Sequence, residues 1–147
     1  MIIPNLHRQA TPLDREAHRT LRIKPLDDWR VASPLNSVFI SVMEFVDACR
    51  EYPIVFLRAG NDADGKAQIA PVAVFGLSNG ENLFLDGPNW RGHYVPSVLR
   101  LYPFAIGRID AQNFAICLDT AWPGVSQTEG LPLFDDKGEL SELSQRV

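Results

Sequence analysis

The chain has 147 residues, a length that points to one domain with room for a real core. Its hydrophobic content of 46% and charged content of 22% are ordinary globular values. A formal net charge of -4, with no Lys/Arg cluster to set against it, gives no electrostatic case for nucleic acid.

Met1-Ile2-Ile3-Pro4-Asn5 has no basic segment followed by an apolar core, so it does not read as a secretory signal. No apolar run approaches the length of a membrane span, and the expectation is a soluble, cytoplasmic chain. Residues 1–17 are polar, carry two prolines and show no periodicity; they read as an N-terminal arm. His18 to Lys24 alternates, with Leu21 and Ile23 on one face, and predicts a strand. Pro25 to Pro34 is a connection containing Trp29, and Ser37 to Ile40 a short apolar strand. Ser41 stands three before Glu44, the spacing of a capping box. The helix it opens runs to about Arg50, with Val42, Met43, Val46 and Cys49 on one apolar face.

Ile54 to Arg58 and Ile69 to Leu77 are apolar runs separated by Gly60-Asn61-Asp62-Ala63-Asp64-Gly65, a hairpin with a polar loop. That loop fails the calcium template, because Gly60 takes the first ligand position and Pro71 the bidentate-acid position. Asn79-Gly80 is a turn tolerating positive φ, and Asn82 to Asp86 adds a third strand, giving a three-stranded meander over Ile54 to Asp86. Gly87-Pro88 breaks that strand. Pro96 opens a second short helix with Val95, Val98, Leu99 and Tyr102 as its apolar face, closed by Tyr102-Pro103. Phe104 to Ile109 and Phe114 to Leu118 form a second hairpin. Residues 120–147 are a loop-rich tail with a compact segment at Leu131 to Phe134 and a polar helix from Leu140. The whole reads as a single α+β domain over 1–147. Its sheet is mostly antiparallel, a meander plus a hairpin, with two helices on one face.

Catalytic chemistry is not assembled in the sequence. His7, His18 and His93 share no metal-binding spacing, and Cys49 and Cys117 have no metal partner at ligand spacing. Both cysteines sit in apolar segments and are expected to be buried free thiols. Gly76-Leu77-Ser78-Asn79-Gly80 spells a nucleophile elbow by letters, but Asn79-Gly80 leads into a strand where the elbow needs a helix. Asp27-Asp28 and Asp135-Asp136 are neighbours whose side chains diverge, unlike a working acid/base pair. No phosphate-binding glycine loop is present, and no metal or cofactor is expected. There remain Trp90, Tyr94, Arg100, Tyr102 and Phe104. Tyr102 and Phe104 are assigned to the core, and Arg100, if structural, to a pair with an acid such as Asp86. Trp90 and Arg100 are the leading contact candidates, followed by Tyr94 and His93; aromatic and arginine side chains of this kind dominate interface hot spots.

Several motifs in order resemble a known family. Asn82-Leu83-Phe84, Trp90, Tyr94-Val95-Pro96 and Arg100-Leu101-Tyr102-Pro103-Phe104 are similar to the central signature of the SapC family, bacterial proteins named for an association with surface layers. Leu21-Arg22, Glu44-Phe45 and Tyr52-Pro53-Ile54-Val55-Phe56 match its upstream blocks. Leu118-Asp119, Gly130, Leu133-Phe134-Asp135 and Gly138 match the downstream one. Family members usually continue past the position of Val147 into a more helical portion. The resemblance implies a link to surface-layer biology and a cell-surface association. With no catalytic constellation assembled, the expectation is a non-enzymatic binding or accessory protein, and the Trp90 and Arg100 patch points to another protein chain as partner, in a hetero-complex or a homodimer. Two alternatives stand beside it: a small enzyme or peptide-modification partner with a pocket near His93, Trp90 and Arg100, and a secretion-chaperone-like dimer.

Overall fold

The computed structural model describes residues 1–62, 64–110, 112–135, 139 and 141. In chain order the elements begin with β1 (Ala10–Pro12), β2 (Arg22–Ile23), β3 (Ser37–Phe39), α1 (Phe45–Ala48), β4 (Ile54–Asn61) and β5 (Ala67–Val74). There follow β6 (Leu85–Asp86), β7 (Asn89–Trp90), α2 (Ser97–Arg100), β8 (Phe104–Arg108), β9 (Phe114–Asp119), β10 (Val125–Ser126) and β11 (Leu131–Pro132). The strand pairs are antiparallel, as the α+β reading with a sheet-dominated fold requires. The chain divides into two compact units, Asp28–Arg100 and a second made of Met1–Asp27 with Leu101–Val147.

In residues 28–100 the sheet order is β3-β5-β4. The β4–β5 hairpin forms as its sequence predicts. Its loop closes because the Asp62 carboxylate accepts the amides of Asp64 (3.0 Å) and Lys66 (2.8 Å), so the acid serves a turn. The third strand differs from expectation. It is β3, pairing Val38 with Ala73 and Phe39 with Val72, while Leu85–Asp86 pairs with Asn89–Trp90. With β3 on one edge of β5 and β4 on the other, no position on β5 remains for Asn82–Asp86. That stretch is held by scattered bonds instead: the Leu83 amide donates to the Phe75 carbonyl (3.0 Å), and Asn82 donates to the Ala32 carbonyl (3.0 Å) and accepts the Phe84 amide (3.1 Å). The three-stranded meander expected over Ile54 to Asp86 is therefore not present. The Asn79-Gly80 turn is, with Gly80 at φ 73.

The first helical stretch is a 3-10 turn, Val42–Glu44, running into α1. Its predicted capping box is formed, with Ser41 Oγ accepting the Met43 amide and Glu44 accepting the Ser41 amide. The buried face is not the apolar one. Val42, Met43 and Val46 are exposed, whereas Glu44 and Ala48 are buried. Glu44 turns inward because it finds hydrogen-bond donors there, and the apolar stripe is carried outward with the rotation. Cys49, expected in the core, is exposed for the same reason; Cys117 is buried, and both are free.

The other unit holds two sheets, β1-β9-β8 and β10-β2-β11. Its core is Ile23, Phe104, Leu118, Leu133 and Phe134, flanked by Leu21, Leu101, Ile116 and Trp122. Tyr102 and Phe104 are buried as assigned, and Leu131–Phe134 is the compact segment of the tail. Residues 1–17 differ from the arm expected of them. Leu6 and His7 are buried, and β1 pairs Ala10 with Asp119 and Thr11 with Leu118. A polar, aperiodic segment takes this place because the amides of Arg8 and Gln9 have a buried acceptor, Asp119. The helix expected from Leu140 lies outside the described residues. Among the described residues no helix is long and apolar enough to cross a membrane.

Candidate functional site

The stretch from Trp90 to Arg100 has little regular structure before α2, so other parts of the unit must hold it. Three side chains from the first helical stretch and the turn after it do so. Glu44 Oε1 accepts the Tyr94 hydroxyl (2.7 Å) and the Ser97 amide (2.7 Å), while its other oxygen serves the capping box. Glu51 Oε1 accepts the amides of His93 (2.9 Å) and Tyr94 (3.1 Å). The Tyr52 hydroxyl donates to the Tyr94 carbonyl and accepts the Trp90 indole N–H (2.9 Å). Gly92 lies so close to this clamp that a Cβ there would collide with Glu51 Oε2 and the Tyr52 hydroxyl.

Electrostatics follow from these bonds. Burial pushes the Glu44 carboxyl up, but the amides of Ser97 and Ser41 and the Tyr94 phenol outweigh it and hold the group below its ordinary value. Tyr94 is pushed up to about 12, by burial first and then by donating to the Glu44 carboxylate. Tyr52 is also pushed up to about 12, chiefly by burial. Both phenols therefore stay protonated and remain donors across the physiological range.

The predicted contact residues fall into different environments. Trp90 is half-buried in an aromatic cluster, stacked on Phe84 (6.0 Å between centroids) and edge-on to Phe75 (5.2 Å) and Trp29 (6.1 Å). Arg100 is exposed, and its guanidinium lies 5.5 Å from the centroid of the Tyr94 ring. That cation–π contact replaces the pair with Asp86 considered from the sequence. His93 is exposed and is placed by its backbone, through Glu51. Tyr94 and Arg100 are thus in direct contact, Trp90 is joined to Tyr94 through Tyr52, and His93 shares the Glu51 acceptor with Tyr94. The supporting residues Glu44, Glu51, Tyr52 and Gly92 were not legible as a site; the capping-box spacing and the family blocks marked Glu44 and Tyr52 without joining them to Tyr94.

Among the described residues no group of His, Cys, Asp and Glu converges to hold a metal ion. Ser78 sits in a turn where its amide and that of Leu77 bond to the Glu81 carboxylate (3.2 and 2.8 Å), so the elbow-like letters code a loop. Asp28 caps the turn Trp29–Ala32 and is ion-paired with Arg30.

The SapC family model matches residues 13–147. The chain belongs to the SapC family. The match spans nearly all of the chain, including the clamp, the Trp90–Arg100 stretch and the buried Asp119. No curated protein and no solved structure matches it.

Proposed function

We propose that this SapC chain is a non-enzymatic binding protein that engages another protein chain through Trp90, His93, Tyr94 and Arg100. The observation that carries the reading is the Arg100 guanidinium over the Tyr94 ring, with the phenol fixed from behind by Glu44. A cation seated on a pinned aromatic loses little conformational freedom on binding, so more of its interaction energy goes into affinity. Arg and Tyr are also the side chains that most often dominate interfaces. A carboxylate-bearing face suits such a site, because guanidinium groups pair with carboxylates in a two-pronged geometry. Family membership supports a link to surface-layer biology and the setting in which the partner is to be sought.

The reading is tested by placing a photo-crosslinking residue at His93, in the native host, with Glu16 as a control site. A discrete cross-linked protein at 93, absent at 16 and lost with Arg100→Ala, is the expected result. Equal cross-linking at both sites, or indifference to Arg100→Ala in a folded chain, overturns it.

A further inference from the structure

A second surface, independent of the one above, lies on the outer edge of β4. The Val74 amide donates to the Pro53 carbonyl (3.0 Å), which fixes the phase of the β4–β5 ladder. Pro53, Val55 and Leu57 point their backbone groups toward β5, and Ile54, Phe56 and Arg58 point theirs the other way. Among the described residues β4 pairs only with β5, so the outer row has no ladder partner. The side chains are unusual for such an edge. Phe56 is 61% exposed, Leu57 49% and Val55 38%, with Ile69 of β5 at 58%. Long apolar edges of this kind are normally blocked by charge, proline or a covering element.

The straight part of the edge has two ends. β4 begins at Ile54 at one end, and a register shift between Arg58 and Asn61 bends the strand at the other. What remains is Ile54 to Arg58, centred on Phe56.

We propose that this edge is a dimerisation surface: β4 pairs antiparallel with β4 of a second copy about a two-fold axis at Phe56, merging two copies of the three-stranded sheet. In that register Phe56 lies opposite Phe56 of the second copy, Ile54 opposite Arg58, and Val55 opposite Leu57. The three outward-facing residues of each strand then exchange about six backbone hydrogen bonds. Every cross-strand pair is apolar or apolar against the stem of Arg58, and no like charges oppose. Arg58 is the one charged side chain on β4 and already donates to Asn61 (2.6 Å), so it requires no acid from the partner. A second copy also presents a straight edge of the same length and centre, which a foreign strand need not.

Sedimentation of the full chain at tens of micromolar should show a dimer. Phe56→Pro should give a monomer with an unchanged circular dichroism spectrum, because the lost N–H points away from β5. In a Cys49→Ser background, Phe56→Cys should oxidise to a covalent dimer, since directly opposed, hydrogen-bonded residues have Cα atoms about 5.5 Å apart, within disulfide reach. Arg58→Cys should not, being opposite Ile54. A wild-type chain that sediments as a monomer, or equal cross-linking by the two cysteine variants, overturns the proposal.

Discussion

Asp119 in the unit of residues 1–27 and 101–147, and Glu44 in residues 28–100, each gather a tyrosine hydroxyl and backbone amides from remote stretches of chain. Asp119 accepts Tyr102 O–H (3.0 Å) and the amides of Arg8 (3.1 Å) and Gln9 (2.8 Å). Glu44 accepts Tyr94 O–H (2.7 Å) and the amides of Ser97 (2.7 Å) and Ser41 (2.9 Å). The chemistry is the same and the outcome is not. Asp119 is 0% exposed and Tyr102 6%, with Trp122 packed edge-on to the phenol, so that cluster is sealed. Tyr94 instead presents its ring to an exposed arginine. A carboxylate–tyrosine pair is therefore no sign of function by itself. What distinguishes the two is whether the far side of the tyrosine faces protein or solvent.

The contrast can be tested one unit at a time, because Trp122 belongs to one unit and Trp29 and Trp90 to the other. The largest effect is expected from Asp119→Ala, which removes the acceptor of four donors: the buried Tyr102 O–H and the part-buried amides of Arg8, Gln9 and Ala121. It should cost about 3 kcal/mol or more, read as a shift in the urea midpoint by Trp122 fluorescence. Gly92→Ala forces a methyl against Glu51 and Tyr52 and should cost about 1–3 kcal/mol, seen in the combined Trp29 and Trp90 fluorescence of a Trp122→Phe background. Glu44→Gln keeps the shape but loses charge-assisted acceptance from Tyr94. A loss of about 1–2 kcal/mol is expected, together with weaker partner binding. If Glu44→Gln destabilises as much as Asp119→Ala while leaving binding intact, the distinction between the two carboxylates collapses. Arg100→Ala should have the smallest effect on stability, under about 1 kcal/mol for an exposed cation–π contact, and should still abolish cross-linking at 93.

Acid should separate the units as well. His7 is buried, its Nδ1 accepting the Ile3 amide (2.9 Å) and its Nε2 donating to the Phe104 carbonyl (3.3 Å). Burial lowers its pKa from an ordinary 6.5, more than the hydrogen bonds and Asp119 restore. The unfolded chain then takes up the proton first, so this contribution is present above pH 6.5 and is lost as pH falls through the lower folded value. Glu44 is also depressed, from 4.5, and its contribution is present above that value and lost only as pH falls through the folded one beneath it. Trp122 should therefore report weakening at a higher pH than Trp90, and His7→Gln should remove the first step.

Local features were determined by the sequence alone. The Ile54–Asn61 and Ala67–Val74 hairpin, the hairpin of Phe104–Arg108 with Phe114–Asp119, the Ser41/Glu44 capping box and the Asn79-Gly80 turn all depend on residues a few positions apart. Alternation and turn chemistry act at that range, and the family blocks are likewise short words in a fixed order. Tertiary structure decided the rest. Whether β3 or Leu85–Asp86 completes the sheet on β5 is a competition for one free edge, which no local pattern records. Val42, Met43 and Val46 face outward, and Cys49 with them, because Glu44 finds Tyr94 and Ser97, which lie 50 and 53 residues away. Residues 1–17 lack periodicity and still become part of a sheet, because Asp119, more than 100 residues on, accepts their amides. A polar group out of water takes its place from wherever its hydrogen-bond partner lies, and that position exists only once the chain has closed on itself.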